Sequence, residues 1–205
     1  MARARKLFPI YGSALANSML AAIGRGRVVA DFVAGYVDEY DRRGILGGSA
    51  RDRELAETIG REVVLVMIVE VRRVLPRFFG KQQSSKLKKD ENEAIEAFFR
   101  ELIAALGRAW NWQTEDQRQF GHDLDLYSAS SLLQAQPTDS RASGKVRQKI
   151  KRPKRQDDPP FVGRVALLLD PSMLDEARRA ARKFHGDVER IAQKLLRQTL
   201  RPGRT

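Results

Sequence analysis

The side chains with the greatest capacity for chemistry are few. The chain has two histidines, His122 and His185, and no cysteine. His122 is followed by Asp123 and Asp125, and a histidine beside carboxylates is the start of a metal or general-base site. A metal-dependent hydrolase needs further histidines, and only His185 remains, far along the chain. No distinctive nucleophile motif accompanies them. The glycines 44, 47 and 48 lack the Gly-Lys-Ser/Thr ending of a phosphate-binding loop. The absence of cysteine excludes disulfides and thiol catalysis. The expectation is a protein without enzymatic activity and without metal or cofactor. The reading to test against it is an enzyme using His122 and Asp125.

Charge offers a second kind of chemistry. The net charge is +12 over 205 residues. Residues 1–136 carry 20 basic and 18 acidic side chains, residues 137–160 carry 8 and 3, and residues 161–205 carry 10 and 5. The excess therefore sits in the last third, where it would attract polyanions through counterion release. Its densest part holds Lys145, Arg147, Lys149, Lys151, Arg152, Lys154 and Arg155 with no acid among them. Such a polycation tracks a phosphate backbone without reading sequence.

These residues need elements to position them. Residues 7–40 read as helix in two pieces, divided near Gly24, Arg25 and Gly26, with Val28, Val29, Phe32, Val33, Tyr36 and Val37 on one stripe. Residues 41–49 read as a connecting loop. Ser49 and Asp52 form a capping-box-like start to a helix that Pro76 ends. Its second half, Val63 to Val69, is apolar all round, which predicts a central buried helix, with a buried strand as the alternative. Residues 77–91 read as a polar loop containing Lys81, Lys86, Lys88 and Lys89. Residues 92–112 follow the amphipathic template through Ile95, Phe98, Phe99, Leu102, Ile103, Leu106 and Trp110. A weaker helix is expected over 115–133.

Residues 134–160 contain four prolines and no apolar periodicity, and read as a linker. The sequence thus divides into a helical domain (1–133), a flexible basic linker (134–160) and a small C-terminal module (161–205). The fold class is mainly α.

In the C-terminal module, Val165 to Leu169 is a short apolar run that predicts a strand. Asp170 and Pro171 then start a helix with Met173, Leu174, Ala177, Ala180, Ala181 and Phe184 on its apolar stripe. His185 and Gly186 end it. Asp187 caps a second helix with Val188, Ile191, Ala192, Leu195, Leu196 and Leu200. About forty residues make a poor core alone, so such a unit should close against a partner.

The order strand, Asp-Pro, helix, Gly turn, capped helix resembles the ribbon-helix-helix family of DNA-binding proteins over Arg164 to Leu200. The resemblance implies a homodimer whose paired strands enter the major groove. It implies dimerisation through Val165, Leu167, Leu169, Leu174, Ile191 and Leu195. It places Arg164, Ala166 and Leu168 on the groove side, with Arg164 able to read guanine or touch a phosphate. Ala166 and Leu168 are apolar where that family is usually polar, and Asp187 would repel a phosphate at the second helix. DNA contacts are then expected from Arg178, Arg179, Arg182, Lys183 and the basic linker.

Two function classes follow. One is a dimeric DNA-binding protein of the transcriptional-regulator, partition or antitoxin type, whose helical domain meets an unknown protein partner. The other is a non-enzymatic helical interaction subunit of a nucleoprotein assembly whose basic tail contacts RNA or DNA. No stretch approaches the ~20 apolar residues of a membrane span, so no membrane contact is expected and the cytoplasm is the default compartment. Residues 1–30 hold five basic and no acidic residues, a bias shared with transit peptides, and are read here as a basic arm leading into a helix.

Overall fold

A computed structural model describes residues 2–25, 27–41, 49–78, 85–134, 158–169 and 174–200. Its elements are α1 (Ala2–Gly24), α2 (Val28–Asp41), α3 (Ser49–Val74), a 3-10 turn (Leu75–Phe78), α4 (Ser85–Ala109), α5 (Thr114–Gln134), α6 (Pro160–Leu169) and α7 (Leu174–Leu200). No strand occurs among the described residues.

Helix α3 is the hub. Val63 to Val71 is buried on every side of the helix, Glu70 included, because α1, α2, α5, α6 and α7 all pack against it. An apolar circumference needs such a position, since β-branched residues exposed on a helix would gain nothing from burial. The helix ends where expected, as Pro76 cannot donate the next backbone bond and the chain tightens into 3-10 geometry. α1 lies along α4 so closely that a Cβ on Gly12 would strike the Phe98 carbonyl oxygen. The α1–α2 break falls at the Gly-Arg-Gly site, where Arg27 adopts a positive φ of 53°. α4 begins at Ser85, so the expected polar loop is helical from that point on.

The C-terminal module is corrected by the structure. The expected strand is the helix α6. Pro159 accepts the first backbone bonds from Val162 at 2.9 Å and Gly163 at 3.4 Å, and Pro160 takes the first helical position, where its missing N–H costs nothing. The buried residues Phe161, Val162, Val165, Ala166 and Leu169 then fall at i, i+1, i+4, i+5 and i+8, a helical stripe. Reading the run from Val165 alone hides that period.

The expected helix–turn–helix is also one element. α7 passes through His185 and Gly186, because Ala177, Ala181, Phe184, Val188, Ala192 and Leu196 form one unbroken buried stripe. Burying that stripe outweighs the cost of about 1 kcal/mol for a mid-helix glycine.

With the strand absent, the ribbon-helix-helix arrangement and its groove-facing residues lapse. Val165 and Leu169 are buried inside the chain's own core. Leu174, Ile191 and Leu195 pack at the edge of that core, and Leu167 is 57% exposed. So small a unit does not need a second copy, because α6 and α7 close their core on α3.

Polar side chains fix the orientation of these helices. The Glu70 carboxylate, 3% exposed, accepts two bonds from Arg73 at 2.7 and 2.6 Å and one from Gln193 of α7 at 2.6 Å. On α6, Arg164 donates to Asp123 at 2.8 Å and to Glu62 at 3.3 Å, and its guanidinium lies 5.7 Å from the centre of the Tyr127 ring. The Tyr127 hydroxyl donates to Glu62. Phe32 stacks on Phe184 with ring centres 3.9 Å apart, joining α2 to α7.

Candidate nucleic-acid interface

α7 owes its 27-residue length to the buried stripe and to its ends. Asp175 and Glu176 sit in the first turn and Arg197 in the last, each sign matched to the helix dipole. Gln193 bonded to Glu70 and the Phe184 stack set its rotation. One face is thereby turned to solvent.

The composition of that face is lopsided. Eight residues of α7 are exposed: Asp175, Arg179, Arg182, Lys183, Arg190, Lys194, Arg197 and Gln198. Six of the eight are Lys or Arg, which gives the face an excess of positive charge. Arg179, Lys183, Arg190, Lys194 and Arg197 recur at helical spacing along it. From Arg179 to Arg197 the helix rises about 27 Å.

Acids temper some of these charges. Arg179 pairs with Glu176 at 3.4 Å and Arg190 with Asp187, both within α7. Arg182 binds Asp158 through two bonds of 2.7 and 2.9 Å, and this pairing raises the Arg182 pKa despite some desolvation. Arg197 meets only the side-chain oxygen of Gln193 at 3.4 Å. Lys183 and Lys194 have no ion pair or hydrogen bond among the described residues. Exposed pairs within one helix are worth only a few tenths of a kcal/mol, so a phosphate can displace them.

The residues expected from sequence divide into three groups. Arg179, Arg182 and Lys183 lie together on this face, whereas Arg178 is half-buried with its Nε enclosed and without an acceptor among the described residues. Arg164 is engaged internally by Asp123 and Glu62. Burial alone would raise the Asp123 pKa, but the bonds from Arg164 and Gln119 and the charges of Arg164 and Arg61 bring it below the usual carboxylate range. Burial and the Glu62 charge push the Tyr127 hydroxyl well above its ordinary pKa. Lys145, Arg147, Lys149, Lys151, Arg152, Lys154 and Arg155 lie outside the described residues.

Sequence reasoning missed Arg190, Lys194 and Arg197. The signal was their register with Arg179 and Lys183, which only one uninterrupted helix reveals.

The histidines are far less organised. His122 and Asp125 are exposed on α5. His185 is mostly enclosed, with the Phe161 ring 5.4 Å away and Glu189 Oε2 3.9 Å from its Nδ1. Among the described residues no three His, Asp or Glu side chains come together as a metal-binding group, and no helix is long and apolar enough to cross a membrane. No family model, curated protein or solved structure matches the chain.

Proposed function

We propose that this protein is a non-enzymatic helical protein that holds nucleic acid by its phosphate backbone, using the outward face of α7 together with the basic residues Lys145 to Arg155. The observation that carries this reading is the makeup of the α7 surface, with six of its eight exposed residues cationic. The remaining faces of α7 are taken up by α1, α3 and α6 and by the Phe32 stack. Asp175, Glu176 and Asp187 lie among these cations, but the cations outnumber them, so the excess along the helix is positive. The charge excess of residues 137–160 adds to it. The helical bundle is then the part that engages other components of a nucleoprotein assembly. Sequence-specific regulation is not part of this proposal, since its structural basis was the strand that α6 replaces.

Fluorescence anisotropy with labelled oligonucleotides tests the reading at near-physiological salt. Binding by the full chain that weakens when Lys183, Lys194 and Arg197 are all changed to Gln is the expected result. Absence of binding by the full chain would remove the proposal.

A further inference from the structure

The makeup and surroundings of α7 point to the form of nucleic acid as well. Resting on the proposed function, we infer that the ligand is a double helix held from outside along its backbone, without base readout. Three observations converge on this.

The first concerns stacking. Proteins that hold single strands interleave cations with aromatic rings on which bases stack. Among the described side chains no Phe, Tyr or Trp is exposed; the exposed large apolar residues are Ile10, Leu126 and Leu167. Trp112 tilts against Phe120 at 4.4 Å, and Phe184 lies between Phe32 and Phe161. The basic face therefore offers a charge row and no stacking platform.

The second concerns access to bases. A major groove about 12 Å wide admits one helix of about 10–12 Å diameter. α7 does not stand clear of the molecule, because α6 runs beside it and α2 meets it through Phe32 and Phe184. Neighbouring helices pack about 8–10 Å from axis to axis, so α6 and α2 beside α7 limit how deeply it can enter the groove.

The third concerns geometry and partner class. A rigid row of about 27 Å complements phosphates held at fixed spacing, and a duplex carries the higher charge density. An anionic membrane also attracts a basic helix, but such a helix inserts its apolar face into lipid. The apolar face of α7 is committed to the protein core.

The test uses the full chain and anisotropy competition at fixed salt. The probes are an AT-rich and a GC-rich duplex of about 20 base pairs, the single strands of each, and vesicles of anionic phospholipid. The expected result is binding of both duplexes within about threefold of each other and at least about tenfold tighter than either single strand. Changing Lys183, Lys194 and Arg197 to Gln should weaken the duplexes, with the helical far-UV signal unchanged because all three sites are exposed. Equal or tighter binding of single strands would overturn the duplex inference and leave the proposed function standing. A preference for one duplex of about a hundredfold would overturn the claim of backbone-only contact. Binding to vesicles with none to any oligonucleotide would remove both the inference and the proposed function.

Discussion

Arg182 of α7 meets Asp158 in a two-point contact, with Nε 2.7 Å from Oδ1 and Nη2 2.9 Å from Oδ2. The pair joins the basic face to the residue just before the two prolines that start α6. Arg155, the last of the basic run, is three residues upstream, at most about 11 Å of extended chain. Asp158 also withholds Arg182 from an incoming phosphate. Asp158→Asn should tighten polyanion binding at low salt, and Arg182→Gln should weaken it, as read by anisotropy. Stability should change by less than about 1 kcal/mol in either variant, because the pair is solvent-exposed.

Arg164 is expected to behave in the opposite way. Its partners Asp123 and Glu62 are mostly buried, and removing the guanidinium leaves two carboxylates beside an apolar core. Arg164→Met should destabilise by about 2–3 kcal/mol in urea unfolding, less than for a fully enclosed pair because Arg164 is itself 36% exposed. Arg164→Lys should rescue little, since one ammonium cannot replace the fork that spans both acids.

Two glycines should respond with opposite signs. A Cβ at Gly186 meets nothing within 4 Å, so Gly186→Ala should raise stability by about 0.5–1 kcal/mol through helix propensity. At the end of a helix, where a left-handed backbone favours glycine, the same change would destabilise. Gly12→Ala should cost about 1–3 kcal/mol, because its Cβ would press on the backbone of α4. Thermal unfolding of the two variants checks both the continuity of α7 and the α1–α4 contact.

The C-terminal helices also show where sequence reading succeeded and failed. The all-apolar stretch Val63 to Val69 announced a buried central helix, because no other position tolerates such a circumference. The α1–α2 break announced itself by its flanking glycines. The period of α6 is visible only from Phe161, and the preceding prolines suit a linker as well as a helix start. At Gly186 the local stop signal competes with the stripe from Ala177 to Leu196, and only the whole stripe shows that the helix continues. A stop at Gly186 also conceals Arg190, Lys194 and Arg197 as continuations of the basic face. The Arg164 contacts join residues 41 and 102 positions apart, and no local pattern announces such a partnership.

Acid should act on this fold in separable steps. Burial lowers the His185 pKa below its ordinary 6.5, only partly offset by the Glu70 charge. The charges facing it are Glu70 from α3 and Glu189 from α7, with Phe161 on the α6 side. A depressed folded-state pKa means that the neutral imidazole favours folding. That stability is present above the unfolded value and is lost as pH falls through the folded one. Asp123, also depressed, adds a second loss below about pH 4. His185→Gln should remove the first decline in a melting-temperature series and leave the second.

Glu189 opposes this trend. Burial and the nearby Glu70 charge raise its pKa above the ordinary 4.5, although Arg73 works against them. A raised folded-state pKa means that protonation favours the fold, so the ionised carboxylate costs stability at neutral pH. Glu189→Gln should therefore raise the melting temperature at pH 7 and have less effect near pH 4. A lower melting temperature at pH 7 would show that its charge supports the fold.

The salt dependence of duplex binding tests the α7 face most directly. Each phosphate neutralised contributes about −0.9 to the slope of log K against log salt. Lys183, Lys194 and Arg197 are exposed and carry no ion pair among the described residues. Changing all three to Gln should make that slope shallower by about 2.7, with the fold unchanged. An identical slope for the variant and the native chain would show that the unpaired cations of α7 do not touch the backbone, and would contradict the account.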